Sequence, residues 1–177
     1  MQQRALLALA AVTAMTAATL ETAEARPRPR AGRKFEANKT FGLGLMIGAP
    51  AGLSGKWFYG RSTAFDFGIG VFRYYRNRDG VHLHVDHLWH PVSLAHNATF
   101  ELPLYVGIGA RVIDFDDSNG TAIGVRVPIG IAFDFNTAPL DIFFELALVL
   151  DTFRNYGDDD IDGDLNFALG ARYYFGT

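Results

Sequence analysis

The feature that most constrains this chain is a two-residue alternation of apolar and non-apolar side chains, repeated in eight separate runs after residue 40. The runs are Phe41–Gly48, Leu53–Tyr59, Thr63–Phe72, Val81–His90, Leu102–Val112, Ala122–Asp134, Leu140–Asp151 and Leu165–Phe175. Successive side chains of a strand point to opposite faces, so this period gives each run one apolar face and one different face. No extended stretch carries a helical stripe, and 19 glycines beside 15 phenylalanines suit strands better than helix interiors. The fold class is all-β.

The two faces select the solvent. The apolar face of the seventh run is Leu140, Ile142, Phe144, Leu146, Leu148 and Leu150, and no apolar face contains Asp, Glu, Lys or Arg. The opposite faces carry Lys56, Asp66, Asp86, Arg111, Arg126, Asp134, Asp141, Glu145, Asp151 and Arg172, with His82, His84 and His90, and glycine or alanine in many of the gaps. A wet face of a soluble sandwich would be rich in Lys, Thr, Ser and Glu. Small residues with four cations and six anions instead fit a cramped polar interior. A barrel of about eight strands has just enough room inside for side chains. Its outer faces would then meet lipid, where an Arg or Lys at the bilayer midplane costs roughly 2–4 kcal/mol. Backbone groups in lipid must all be paired, so the sheet must close. Most of the runs reach the ~9–11 residues that a tilted membrane strand needs. Tyr59, Trp89, Phe133, Tyr173 and Phe175 stand at run ends, where interfacial aromatics belong. The expected architecture is an eight-stranded antiparallel up-and-down transmembrane β-barrel, its lumen filled by the ten charges named above.

The start of the chain is read separately. A basic Met1–Arg4, an uncharged Ala- and Leu-rich Ala5–Leu20 and the small-x-small Ala23-Glu24-Ala25 form a secretory signal peptide over residues 1–25. Residues 26–40, beginning RPRPR, are expected to be a basic, Pro-rich flexible segment, with few apolar residues to anchor it. Residues 41–177 form the barrel. There is no cysteine, which excludes disulfides, Cys-ligated zinc, thiol nucleophiles and a lipoprotein acylation site. Net charge is -3, and no cluster of Lys and Arg within the eight runs marks a nucleic-acid face.

With both termini periplasmic, the outer loops would be Ala49–Gly52, Arg73–Gly80, Ile113–Thr121 and Thr152–Asp164. The periplasmic turns would be Gly60–Ser62, Pro91–Glu101 and Phe135–Pro139. Pro91–Glu101 is long for such a turn, so the fourth and fifth strands are expected to extend into it. Pro103 and Pro128 interrupt runs, and a bulge or local distortion is expected at the central, inward Pro128.

Eight amphipathic strands behind a signal peptide resemble the small outer-membrane barrels of the OmpA/OmpX type, over about Phe41–Phe175. The ending Gly170-Ala171-Arg172-Tyr173-Tyr174-Phe175 resembles the C-terminal strand signal of such barrels, although Gly176 and Thr177 follow the last Phe. The Gly48–Lys56 stretch is similar to that of small bacterial barrels for which no activity is implied. The resemblance implies outer-membrane lipid, lipopolysaccharide and the barrel assembly machinery as partners, and a monomer in the bacterial outer membrane.

Chemistry beyond this is sparse. The interior charges read as a static salt-bridge network, because an eight-stranded barrel is too narrow for an open aqueous channel. The spacing leaves their pairing open. His82, His84, Asp86 and His90 on one inward face would form either a hydrogen-bonded cluster or a metal site. Asp158, Asp160 and Asp162, within Asp158–Asp164, match the first half of a calcium loop, but the twelfth position is Leu169 instead of Glu. They are a candidate weak calcium contact; no other cofactor is expected. Asp114, Asp116 and Asp117 add to an acidic outer rim. Two alternatives compete. A lipid-A-modifying enzyme would need a His with a Ser or an oriented carboxylate, and the nearest pair, His90 with Ser93, falls on the periplasmic side. A soluble periplasmic lipid-binding barrel would need an apolar lumen. The expected role is therefore non-enzymatic: structure, or surface interaction through the outer loops.

Overall fold

The computed structural model describes residues 32–74, 78–115, 120–155 and 158–175. Residues 1–25, expected to be a signal peptide, and residues 26–31 lie outside them. Eight strands follow one another: β1 (Phe41–Gly48), β2 (Ala51–Phe58), β3 (Thr63–Tyr74), β4 (Arg78–His96), β5 (Phe100–Phe115), β6 (Thr121–Phe135), β7 (Leu140–Asn155) and β8 (Asp158–Phe175). Each pairs antiparallel with its sequence neighbours. β1 pairs with β8 from Phe41↔Phe175 to Gly48↔Ala168, so the sheet closes on itself. This is the expected up-and-down barrel, consistent with the OmpA/OmpX-type fold, and over the span of β1 and β2 closure leaves no free strand edge.

The strands outrun the periodic segments at both ends. β4 and β5 continue to His96 and from Phe100, as the length of the Pro91–Glu101 connection suggested. At the far end from the termini, two expected loops are mostly paired strand. Tyr74 pairs with Arg78, and Asn155 pairs with Asp158, so Arg73–Gly80 and Thr152–Asp164 are hairpin arms. Apolar alternation marks where one face must avoid water. Backbone pairing needs no such face, so the ladder continues through charged sequence.

Of the two outcomes expected at Pro128, the structure shows a local distortion and not a bulge. β6 keeps one register through Pro128, with Val106↔Ile129 before and Gly109↔Arg126 after, so no bulge forms there. The β5–β6 ladder simply skips the positions beside Pro128 and Pro103, where a donor is missing. The register shifts lie instead in β4, between Trp89 and Val92 and between Ser93 and Ala95. A bulge re-aims the chain; here it turns Ser93 inward, fully buried.

The interior is inverted relative to a water-soluble domain. Among the largest fully buried side chains are Arg111, Arg126, Arg172 and Lys56, whereas Leu45 is 67 %, Leu148 65 % and Leu150 64 % exposed. Glycines on the inner face are sockets for these groups. A Cβ at Gly124 or Gly109 would overlap the carboxylate of Asp151 or Asp86, and one at Gly130 the ring of Tyr105. The exposed aromatics Trp57, Tyr59, Trp89, Phe133, Tyr173 and Phe175 gather at the end that holds β1's start and β8's finish.

The segment before β1 is not a free spacer over its described part. Arg33 and Ser93 form an antiparallel bridge, with Gly32 N–H on the Ser93 carbonyl at 3.0 Å and Ser93 N–H on the Arg33 carbonyl at 2.7 Å. Phe35 is 1 % exposed, its ring centroid 5.2 Å from His90 and 5.9 Å from Phe58. Lys39 pairs with Asp134 and donates to the Phe135 and Leu140 carbonyls at 2.8 and 3.2 Å. Residues 32–40 thus form a strap across one mouth of the barrel. Composition suggested flexibility because the segment has one strong apolar anchor; the open mouth supplies the pocket that a single aromatic needs.

Candidate functional site: the lumen column

Three arginines organise the lumen. Arg111 on β5 grips Asp151 on β7 with two nitrogens, Nε at 2.9 Å, and reaches Asp164 at 3.2 Å and Asn166 at 2.5 Å on β8. Arg126 on β6 donates to Asp86 on β4 from Nε at 3.0 and 3.2 Å and to Glu145 on β7 at 2.8 Å. Arg172 on β8 donates to Asp66 on β3 at 2.6 Å and to the Ser54 hydroxyl on β2 at 2.8 Å, with Asp141 at 3.7 Å. Each guanidinium therefore joins strands that are not hydrogen-bonded neighbours, bracing the barrel across its width. The fork of five donors suits this work, since one Arg can meet two or three acceptors at once.

Neutral groups connect the layers. Asn166 accepts from both Arg111 and, at 3.4 Å, Arg126, and donates to Asp164 at 2.7 Å. Tyr105 donates to Glu145 at 3.2 Å, and Tyr174 to Asp141 at 2.7 Å. All ten charges expected in the lumen are buried there: Lys56, Asp66, Asp86, Arg111, Arg126, Asp134, Asp141, Glu145, Asp151 and Arg172. Sequence reasoning did not single out Phe35, Lys39, Ser54, Tyr105, Asp164, Asn166 or Tyr174. Five of these sit at inward strand positions, which the period-two rule already marks. Phe35 and Lys39 precede the first strand and carry no periodic signal.

The other candidates do not assemble. His84 Nδ1 and His82 Nε2 share a 3.1 Å hydrogen bond, while Asp86 is taken by Arg126 and His90 faces the Ser62 carbonyl at 3.3 Å. Ser93 donates to the Ala95 carbonyl at 3.0 Å. Asp158, Asp160 and Asp162 lie on strand β8 and not in a loop, Asp162 opposite Asp151. An extended strand spaces such alternate residues about 7 Å apart, without the sharp turn that gathers ligands in a calcium loop. The side chains of Asp158 and Asp160 are outside the described residues. Among the described residues, no three His, Asp or Glu side chains are grouped to hold a metal.

Chemically, the column can brace: guanidinium–carboxylate pairs tie the strands together across the barrel, with Arg172 Nη1 and Asp141 Oδ1 left without a hydrogen-bond partner. No family model, no curated protein and no solved structure matches this chain, so the lumen geometry itself carries the functional argument.

Proposed function

We propose that this chain is a bacterial outer-membrane β-barrel with a plugged polar lumen, serving a structural or surface-interaction role through the hairpin arms at its outer end. One observation carries the reading: charge is buried and leucine is exposed. An outward belt of Leu, Ile, Val and Phe around a closed sheet is favourable in lipid and costly in water. The aromatic residues at the end holding the termini would form the periplasmic girdle. Phe35 and Lys39 would close the periplasmic mouth, and the arginine layers would fill the rest. Outer-membrane lipid and lipopolysaccharide would surround the belt, and the barrel assembly machinery would receive β8 with its outward Tyr173 and Phe175.

The test is gel mobility of the native protein from washed outer membranes, with and without boiling. A closed barrel resists detergent until heated, so the unheated band should migrate differently. Recovery in the soluble periplasmic fraction, with no mobility shift, would overturn the membrane assignment.

A further inference from the structure

Lys39 carries the strap's buried charge into the mouth of the barrel, and oxygen alone holds it there. Among the described residues its ammonium donates to the Asp134 carboxylate and to the carbonyls of Phe135 and Leu140, the last two at 2.8 and 3.2 Å. Phe135 ends β6 and Leu140 begins β7, so the turn between them brings the acceptors together. The Tyr174 ring lies on another side, its centroid 5.4 Å from Nζ.

The surroundings hold more negative charge than one ammonium answers. Asp134 stands between Glu101 on β5 and Asp141 on β7, its direct cross-strand partner in each ladder, and all three are buried. Like charges directly opposite one another destabilise a sheet. Two of the flanking oxygens, Glu101 Oε1 and Asp141 Oδ1, are buried without a hydrogen-bond partner, on side chains 9 % and 3 % exposed. The cations beside them stand off. Arg172 gives its short bond to Asp66 at 2.6 Å and stays 3.7 Å from Asp141, and His96 stays 3.7 Å from Glu101. Buried acceptors left open are costly and few, so each calls for a partner. A row of three carboxylates with two carbonyls beside its centre asks for more positive charge than Lys39 brings.

We propose that Lys39 occupies a calcium site as a tethered stand-in, which the divalent cation displaces. The Asp134 carboxylate and the Phe135 and Leu140 carbonyls hold the ion in place of the ammonium. Asp141 and Glu101 supply the flanking negative charge, and water completes the shell. Calcium takes about 6–8 oxygen ligands, carboxylate and backbone carbonyl together, in flexible geometry, whereas magnesium demands a near-ideal octahedron and gives up water reluctantly. The exchange needs little motion. Lys39 lies two residues before β1, and an open surface cleft lined by Asn38 and the Asn136–Pro139 turn runs beside it, a way out for the side chain and a way in for the ion. The inference rests on the geometry of strap and mouth and is independent of the membrane assignment.

The test is calorimetric titration of the detergent-solubilised barrel, strap included, with calcium chloride and separately with magnesium chloride. The wild type should bind Ca²⁺ in about the millimolar range and in preference to Mg²⁺. Lys39→Met should bind Ca²⁺ at least about tenfold more tightly, because the competing ammonium and its charge-assisted hydrogen bond are gone. Lys39→Met with Asp134→Asn removes both charges, so it should close and should not bind. Lys39→Met alone leaves Asp134 buried without its counter-ion, so its gel mobility is read with and without Ca²⁺. A barrel that closes only with Ca²⁺ present supports the site, as does a closed barrel with the tighter binding. A Lys39→Met chain that stays open with Ca²⁺ would overturn the proposal and make the ammonium a structural counter-ion. So would no Ca²⁺ binding to the wild type up to about 10 mM, above the range of weak extracellular sites. Equal affinity in wild type and Lys39→Met, or binding that survives Asp134→Asn, would overturn it too, and equal affinity for Mg²⁺ would overturn the assignment to calcium.

Discussion

Removing Arg126 tests whether the lumen charges are a brace. Its Nε meets both oxygens of Asp86 at 3.0 and 3.2 Å, Nη2 meets Glu145 at 2.8 Å, and Nη1 reaches Asn166 at 3.4 Å. In Arg126→Ala, Asp86 loses the one ion-pair partner described for it, while Glu145 keeps the Tyr105 hydroxyl at 3.2 Å. Breaking a buried pair by deleting one member costs about 3–5 kcal/mol, because the other charge stays buried without compensation. With one carboxylate stripped and a second half stripped, a loss near the top of that range, about 5 kcal/mol, is expected. The assay is equilibrium urea unfolding of the refolded barrel in lipid vesicles. Trp57 and Trp89 both point outward and report the transition by fluorescence. A triple variant, Arg126→Met with Asp86→Asn and Glu145→Gln, removes the stranded charges and should recover most of the loss. A loss below about 1 kcal/mol, the scale of an exposed pair, would refute the brace. A variant of native stability that gained or lost ion conductance would refute the static lumen as well.

Other outcomes follow from the same geometry. Gly44→Ala should prevent closure, since its Cβ would collide with the Ala171 carbonyl oxygen across the β1–β8 seam, whereas Gly163→Ala meets nothing nearer than 3.8 Å and should be silent; gel mobility separates them. Leu148→Arg, on the outward face opposite Val127, should cost roughly 2–4 kcal/mol for refolding into bilayers if that face meets lipid, and little if it meets water. Phe35→Ala should release the strap while leaving the barrel closed, so hydrogen exchange should quicken at the Ser93 amide, which donates to Arg33, and stay slow at mid-strand amides. Equal exchange at Ser93 in wild type and variant would count against a docked strap.

Much of the fold was legible because a strand's two faces are a local property. Parity along Leu140–Asp151 already separates Leu148 from Glu145, and the same rule turns Arg111, Arg126 and Arg172 inward. It also marked Asn166 and Tyr105, which drew no attention because they carry no charge. The hairpin arms that run to the Tyr74–Arg78 and Asn155–Asp158 pairs were missed because hydrophobic alternation stops where the need to exclude water stops, while backbone pairing goes on. The form of the distortion at Pro128, a gap in the β5–β6 ladder instead of a bulge, was not legible because the cost of its missing donor depends on which neighbour the N–H would have faced, a fact about β5 and not about β6.

By itself, the sequence determined eight amphipathic strands, an apolar outside and a charged inside, since these depend only on residue spacing and on where charge can be solvated. Tertiary structure alone decided the partners. Arg126 meets Asp86 and Arg111 meets Asp151 across separations of 40 residues, set by register and closure. Closure also made a mouth of the width that Phe35 fills and placed Asp134 within reach of Lys39. A lone aromatic in a polar segment has no fixed meaning until another part of the chain builds the pocket that buries it.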